Sequence, residues 1–98
     1  MLEISLSNVF KDWLRYLRDV QGKAKILTRI RSVSLGNLGD VEPVGEGVSE
    51  LRIHCGPGYR IYFTKRGKAM VLLLVGGDKS SQKKDIKLAR QMAKSLKE

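Results

Sequence analysis

Seven consecutive apolar residues, Ala69-Met70-Val71-Leu72-Leu73-Leu74-Val75, constrain this chain more than any other feature. A strand that is apolar at every position has no face to give to water, so it belongs inside a sheet covered on both sides. The run falls far short of the ~20 residues that cross a bilayer as a helix. It therefore needs strands beside it and apolar layers above and below, and the rest of the chain must supply them.

Flanking strands are readable from alternation. From Val48 onward, Leu51, Ile53 and Cys55 point one way and Val48, Glu50, Arg52 and His54 the other. After a Gly56-Pro57-Gly58 turn, Tyr59, Ile61 and Phe63 form an apolar face opposite Arg60, Tyr62 and Thr64. A three-residue turn sets Cys55 across from Tyr59, which pairs His54 with Arg60 and Arg52 with Tyr62. Leu2, Ile4 and Leu6 alternate with Glu3 and Ser5 as a short half-buried strand. Residues 40–47, with Pro43, Gly45 and Gly47, read as a loop.

The covering layers come from helical periodicity. Ser7 or Asn8 caps a helix whose Phe10, Trp13, Leu14 and Leu17 share a face, with Tyr16 assigned to the core beside Trp13. A break near Gln21-Gly22 precedes a second helix carrying Ile26, Leu27, Ile30 and Val33, which Gly36 and Gly39 end. Ser80 or Ser81 caps a last helix with an apolar stripe of Ile86, Ala89, Met92 or Ala93, and Leu96. Its other side carries Lys83, Lys87, Arg90, Lys94 and Lys97. The expected fold is one α+β domain over residues 1–98, in the order β-α-α-β-β-β-α.

Charge narrows the partners. The net charge is +9, and residues 1–49 hold 7 basic and 6 acidic side chains against 12 and 4 in residues 50–98. Such a basic half attracts polyanions. The single Cys55 cannot form an internal disulfide, and one His with one Cys makes a zinc site improbable, so no metal and no cofactor are expected. Nothing in Met1-Leu2-Glu3-Ile4-Ser5 marks the chain for export, and a cytoplasmic protein without a membrane partner is the expectation.

The hairpin gathers Arg52, His54 and Arg60 on one face, and the loop after the apolar strand carries Lys79 toward the same end. Cations beside an imidazole suit metal-free RNA cleavage. A 2′-hydroxyl must lose a proton, the phosphorane gathers negative charge, and the 5′-oxygen must gain a proton as it leaves. Lys65, Lys83, Lys84 and Lys87 are candidate contacts to the RNA backbone. Each feature also has a plainer reading. A strand histidine is ordinarily a surface residue, Arg52 with Glu50 and Tyr62 makes ordinary cross-strand neighbours, and a lysine-rich helix side is ordinarily a solvated face. Gly76-Gly77-Asp78-Lys79-Ser80 lacks the GxxxxGK[ST] spacing of a phosphate-binding loop.

The string Gly47-Val48-Ser49-Glu50-Leu51-Arg52-Ile53-His54-Cys55-Gly56-Pro57-Gly58-Tyr59-Arg60-Ile61-Tyr62-Phe63, with Leu73-Leu74-Val75-Gly76-Gly77-Asp78-Lys79-Ser80 and Gln82-Lys83-Lys84-Asp85-Ile86, resembles the RelE/ParE toxin superfamily. The nearer likeness is to its HigB-like branch of addiction-module killer proteins, and it extends to Trp13, Leu14 and the Gly36–Asp40 loop. The resemblance implies two N-terminal helices packed on a twisted, mainly antiparallel sheet with a C-terminal helix. It also implies the toxin of a type II toxin-antitoxin pair, an endoribonuclease that cuts messenger RNA on the ribosome. A cognate antitoxin, of a helix-turn-helix HigA-like kind, would hold it inactive.

By that resemblance Arg60 contacts the scissile phosphate, Arg52 and His54 stand on the preceding strand, and Lys79 follows the central strand. Some RelE-like enzymes place a tyrosine in the C-terminal segment; here no tyrosine follows Tyr62, and the region offers Asp85 as a candidate acid or base. The proton-transfer roles stay open among His54, Asp85 and a water. ParE-like members share the fold and poison DNA gyrase, and a non-catalytic RNA-binding module is a third reading.

Overall fold

The computed structural model describes residues 1–96. Its elements are β1 (Glu3–Leu6), α1 (Asn8–Tyr16), α2 (Val20–Ser34), β2 (Val41–Gly45), β3 (Val48–Ile53), β4 (Tyr59–Arg66) and β5 (Met70–Gly77), then a 3-10 turn (Lys79–Ser81) and α3 (Gln82–Leu96). The strands form one five-stranded mixed sheet in the order β1-β5-β4-β3-β2. Only the β1–β5 pair is parallel; the other pairs are antiparallel. The fold is α+β with three helices.

The apolar run becomes β5, flanked by β1 and β4. Val71 and Leu73 join one core with Phe10, Ile26 and Val33 of the first two helices and with Leu51, Ile53, Ile61 and Phe63. Leu74 and Val75 join a second core with Val48, Tyr62, Ala89 and Ala93, beneath α3. Two buried faces explain why no position from 71 to 75 is polar. Ala69 precedes the strand and is exposed, and Met70 and Leu72 are half-buried.

A bulge serves the packing. The register slips so that Tyr62 pairs with Val75 but Phe63 with Leu73, leaving Leu74 without a cross-strand partner on β4. Ser7 Oγ donates to the Leu74 carbonyl at 2.6 Å and itself accepts the Phe10 N–H at 3.0 Å. One hydroxyl thus caps α1 and ties it to β5.

Several expectations need correction. Residues 41–45 are a strand rather than a loop, so the order gains a β element. An edge strand bonds on one side only, which tolerates Pro43 opposite Ser49, and the strand turns back through Gly45 and Gly47 at positive φ. The helix break lies at Leu17–Asp19, because Asp19 Oδ1 accepts the Gly22 N–H at 3.0 Å and starts α2 ahead of that glycine. Gly22 is required by close approach: a Cβ there would stand 2.5 Å from Tyr59 Cε2.

Tyr16 is 72% exposed, at the end of α1, and not in the core. Asp78 caps the 3-10 turn that leads into α3, accepting the Ser80 N–H at 2.8 Å. Leu96 is exposed, while Asp85 takes a buried place in the α3 stripe. Lys97 lies outside the described residues. Among the described residues no helix is long and apolar enough to cross a membrane.

Candidate functional site

The β3–β4 hairpin sets the site, and its register differs from expectation. Ile53 pairs with Tyr59, Arg52 with Arg60 and Glu50 with Tyr62. β3 stops at Ile53, and His54–Gly58 form the turn, in which the Gly58 N–H reaches the Cys55 carbonyl at 3.0 Å. Gly56 and Gly58 both sit at positive φ, a conformation open to glycine, so the chain leaves the ladder earlier than a three-residue turn would allow. His54 therefore does not face Arg60; Arg52 does. The parity of the faces is unchanged.

Two arginines placed across from each other repel, and a buried carboxylate offsets this. Glu50 is 1% exposed. Its Oε1 accepts from Arg52 Nε at 3.0 Å, and its Oε2 from the Tyr62 hydroxyl at 3.0 Å and Gln82 Nε2 at 2.8 Å. Arg60 Nε lies 3.6 Å from the same Oε2 and has no hydrogen-bond partner among the described residues, while Arg60 Nη1 donates to the Gly58 carbonyl at 2.9 Å. Burial pushes the Glu50 pKa up, but hydrogen bonds from Gln82, Arg52 and Tyr62, with the charge of Arg60, outweigh it and hold the carboxyl below 4.5. Burial first, and then the Glu50 charge, raise the Tyr62 phenol far above its ordinary range.

The remaining side chains differ in how committed they are. Arg52 also pairs with Glu42 and lies 4.0 Å from Asp40, so its charge is matched by three carboxylates. The Glu50 bond, foremost, raises its pKa. His54 has a side chain 77% exposed and places Nε2 2.6 Å from Asp40 Oδ2. That bond is the main cause holding Asp40 below 3.8. Lys79 is exposed, its N–H reaches the Pro57 carbonyl at 3.4 Å, and it forms no ion pair among the described residues.

Arg52, His54, Arg60 and Lys79 all line one open groove of ≈ 500 Å³, floored by the Cys55–Tyr59 turn. The structure thus brings together the four residues read from the hairpin and the following loop. Lys79 also borders a second groove with Lys83 and Lys84, and Lys83 a third with Lys87, Arg90 and Lys94. Lys65 is not part of this band. It sits at the opposite end of β4 from Arg60, ~16 Å away along the strand. Asp85 is 6% exposed, accepts a bond from Ser81 Oγ at 2.5 Å and lies against Gly77, where a Cβ would overlap its carboxylate. It does not line the groove. Among the described residues no three His, Cys, Asp or Glu side chains gather to hold a metal ion.

Sequence reading had Glu50 and Tyr62 only as neighbours of Arg52, and missed Asp40 and Gln82. The one available signal for Glu50 was its place in a strand between Val48 and Arg52, on a face that the last helix had to cover. Nothing local marked Asp40, which reaches His54 across 14 positions.

Residues 12–94 match the family model described as Phage derived protein Gp49-like (DUF891). A protein of Haemophilus influenzae (strain ATCC 51907 / DSM 11121 / KW20 / Rd), described as uncharacterized, is 44% identical over 95 residues, covering 97% of this chain and 96% of its own. A conserved hypothetical protein of Helicobacter pylori, known from a solution structure, is 17% identical with a TM-score of 0.47, over 82% of this chain and 97% of that one.

Proposed function

The chain belongs to the Gp49-like family of phage-derived proteins, a toxin-antitoxin family related to the RelE-like toxins, and from that premise we propose that it is the toxin of a type II pair and a metal-independent endoribonuclease acting on messenger RNA at the ribosome. The observation that carries the catalytic reading is the convergence of Arg52, His54, Arg60 and Lys79 on one groove, with His54 held by Asp40.

The chemistry follows from that arrangement. With its Nε2 proton donated to Asp40, His54 keeps Nδ1 as an acceptor for the 2′-hydroxyl proton. The 2′-oxygen bonds to phosphorus, the bond from phosphorus to the 5′-oxygen breaks, and the leaving oxygen takes a proton from solvent. The products are a 2′,3′-cyclic phosphate and a 5′-hydroxyl. Arg60 and Lys79 carry the charge that develops on the phosphorane, while Arg52, matched by three carboxylates, holds the hairpin face. Lys83, Lys84 and Lys87 continue the cationic band along which the message lies. A HigA-like antitoxin with an acidic segment would close the same face.

The test is induced expression of wild type beside Arg60→Ala, His54→Ala and Lys79→Ala, with primer extension on a reporter message. Discrete cuts that disappear with Arg60→Ala and Lys79→Ala are expected, and slower cutting with His54→Ala. Lys79 is exposed, so its variant separates lost chemistry from lost folding. Growth arrest without cuts, unchanged in all three variants, would replace the ribonuclease with a gyrase-type target.

A further inference from the structure

A second groove of ≈ 430 Å³ adjoins the cationic one, walled by Lys25, Thr28 and Arg29 of α2 with Asp40. The two share Arg52, Ile53 and His54, so one segment of chain separates them. Their chemistry differs. Here Ile53, 4% exposed, is joined by the Thr28 side chain and the aliphatic stems of Lys25 and Arg29, and the groove carries a carboxylate, Asp40, that the neighbouring one lacks.

Arg29 supplies the most specific feature. Its Nη1 donates to the Leu38 carbonyl at 2.9 Å and its Nη2 to the Arg52 carbonyl at 3.3 Å. Gly39, at φ +68°, lies so close that a Cβ would overlap the guanidinium. The group is therefore pinned against backbone with donors on both terminal nitrogens committed to carbonyls, which weakens it as an anion ligand. It still lines the groove, and guanidinium planes stack nucleobases. The exocyclic amines of a base are donors that Asp40 and the Thr28 hydroxyl oxygen can accept.

We propose that this groove is a nucleobase subsite, taking the base of the nucleotide whose phosphate occupies the neighbouring Arg60–Lys79 groove. The proposal rests on the ribonuclease reading above and adds where sequence preference arises. Since a base lies within one sugar of its phosphate, a shared wall is the spacing one nucleotide needs.

The experiment is an amide NMR titration of the full chain with inorganic phosphate and, separately, with the four 2′-deoxynucleoside 3′-monophosphates, which lack the attacking hydroxyl. Phosphate is expected to shift the Arg60 and Lys79 amides alone. The nucleotides should also shift Thr28, Arg29 and Ile53 and bind about tenfold more tightly, a gain within the range of one stacked base. Thr28→Trp, at an exposed helix position, should fill the groove and reduce nucleotide affinity to that of phosphate while leaving the phosphate response intact. Identical shifts and affinities for phosphate and nucleotides, unaltered by Thr28→Trp, would overturn the subsite and leave the phosphate groove standing. No response at Arg60 or Lys79 to any ligand would overturn both.

Discussion

Oε2 of Glu50 accepts a hydrogen bond from the Tyr62 hydroxyl at 3.0 Å, with both residues sealed from solvent. The same carboxylate faces two arginines; removing it leaves Arg52 with Glu42 and Asp40 but strands the charge of Arg60, whose side chain is 14% exposed. Glu50→Ala should destabilise the fold by ~3–5 kcal/mol, the cost of breaking a buried pair, and Glu50→Gln by less because the hydrogen bonds survive in part. Urea denaturation measures both. Equal, near-zero losses would mean the network contributes nothing.

Acid lability has the same source. The folded-state pKa of Glu50 lies below its ordinary 4.5, so its contribution is whole above that value and is lost as pH falls through the lowered one. Asp19, Asp40 and Asp78 act in the same sense, their pKa values lowered chiefly by bonds from the Gly22 N–H, His54 and Ser80. Stability should decline from pH ~4.5 downward, and less steeply in Glu50→Gln. A series of denaturation curves against pH reads the difference in slope.

The Asp40–His54 bond makes a prediction at the level of one carboxyl group. In His54→Ala the Asp40 midpoint should rise toward 3.8, since its largest lowering influence is gone. Carbon-detected NMR titration of the Asp40 side chain would show it, and an unmoved midpoint would separate the two residues.

Gly76 and Gly77 face opposite sides of the sheet. A Cβ on Gly76 would overlap the Trp13 ring, and one on Gly77 the Asp85 carboxylate. Gly76→Ala and Gly77→Ala should each cost ~1–3 kcal/mol through overpacking. Gly36→Ala, at φ +96° with nothing within 4 Å, should cost ~1 kcal/mol from backbone strain alone. Thermal melts of the three variants rank them.

Binding to single-stranded RNA should weaken with salt, and Lys87→Ala should lessen the log–log slope by ~0.7, the value of one lost phosphate contact. Lys65→Ala, at the far end of β4, should leave the slope unchanged. Equal effects would replace a directed band with diffuse attraction.

Much of this was legible in the residues themselves, because side-chain parity along a strand and a period of 3.6 along a helix are local properties. Alternation from Val48 to Phe63 placed Arg52 and Arg60 on one face, and the unbroken apolar run of β5 required covers on both sides. The hairpin and the loop after β5 drew Arg52, His54, Arg60 and Lys79 together, and a resemblance carried by those same strands implied their roles. What failed was decided by backbone and capping geometry at particular turns and by partners distant in sequence. The hairpin register depended on two positive-φ glycines, β2 became a strand because an edge lay open beside β3, and Gly22 stayed helical because Asp19 caps ahead of it. The role of Glu50 as the counter-charge to two arginines required Tyr62 and Gln82 to close over it, and the partner of His54 came from a residue in the preceding loop. Local pattern determines which face a side chain takes; tertiary packing alone decides which charges meet there, since that depends on burial and on distances the chain reaches only when folded.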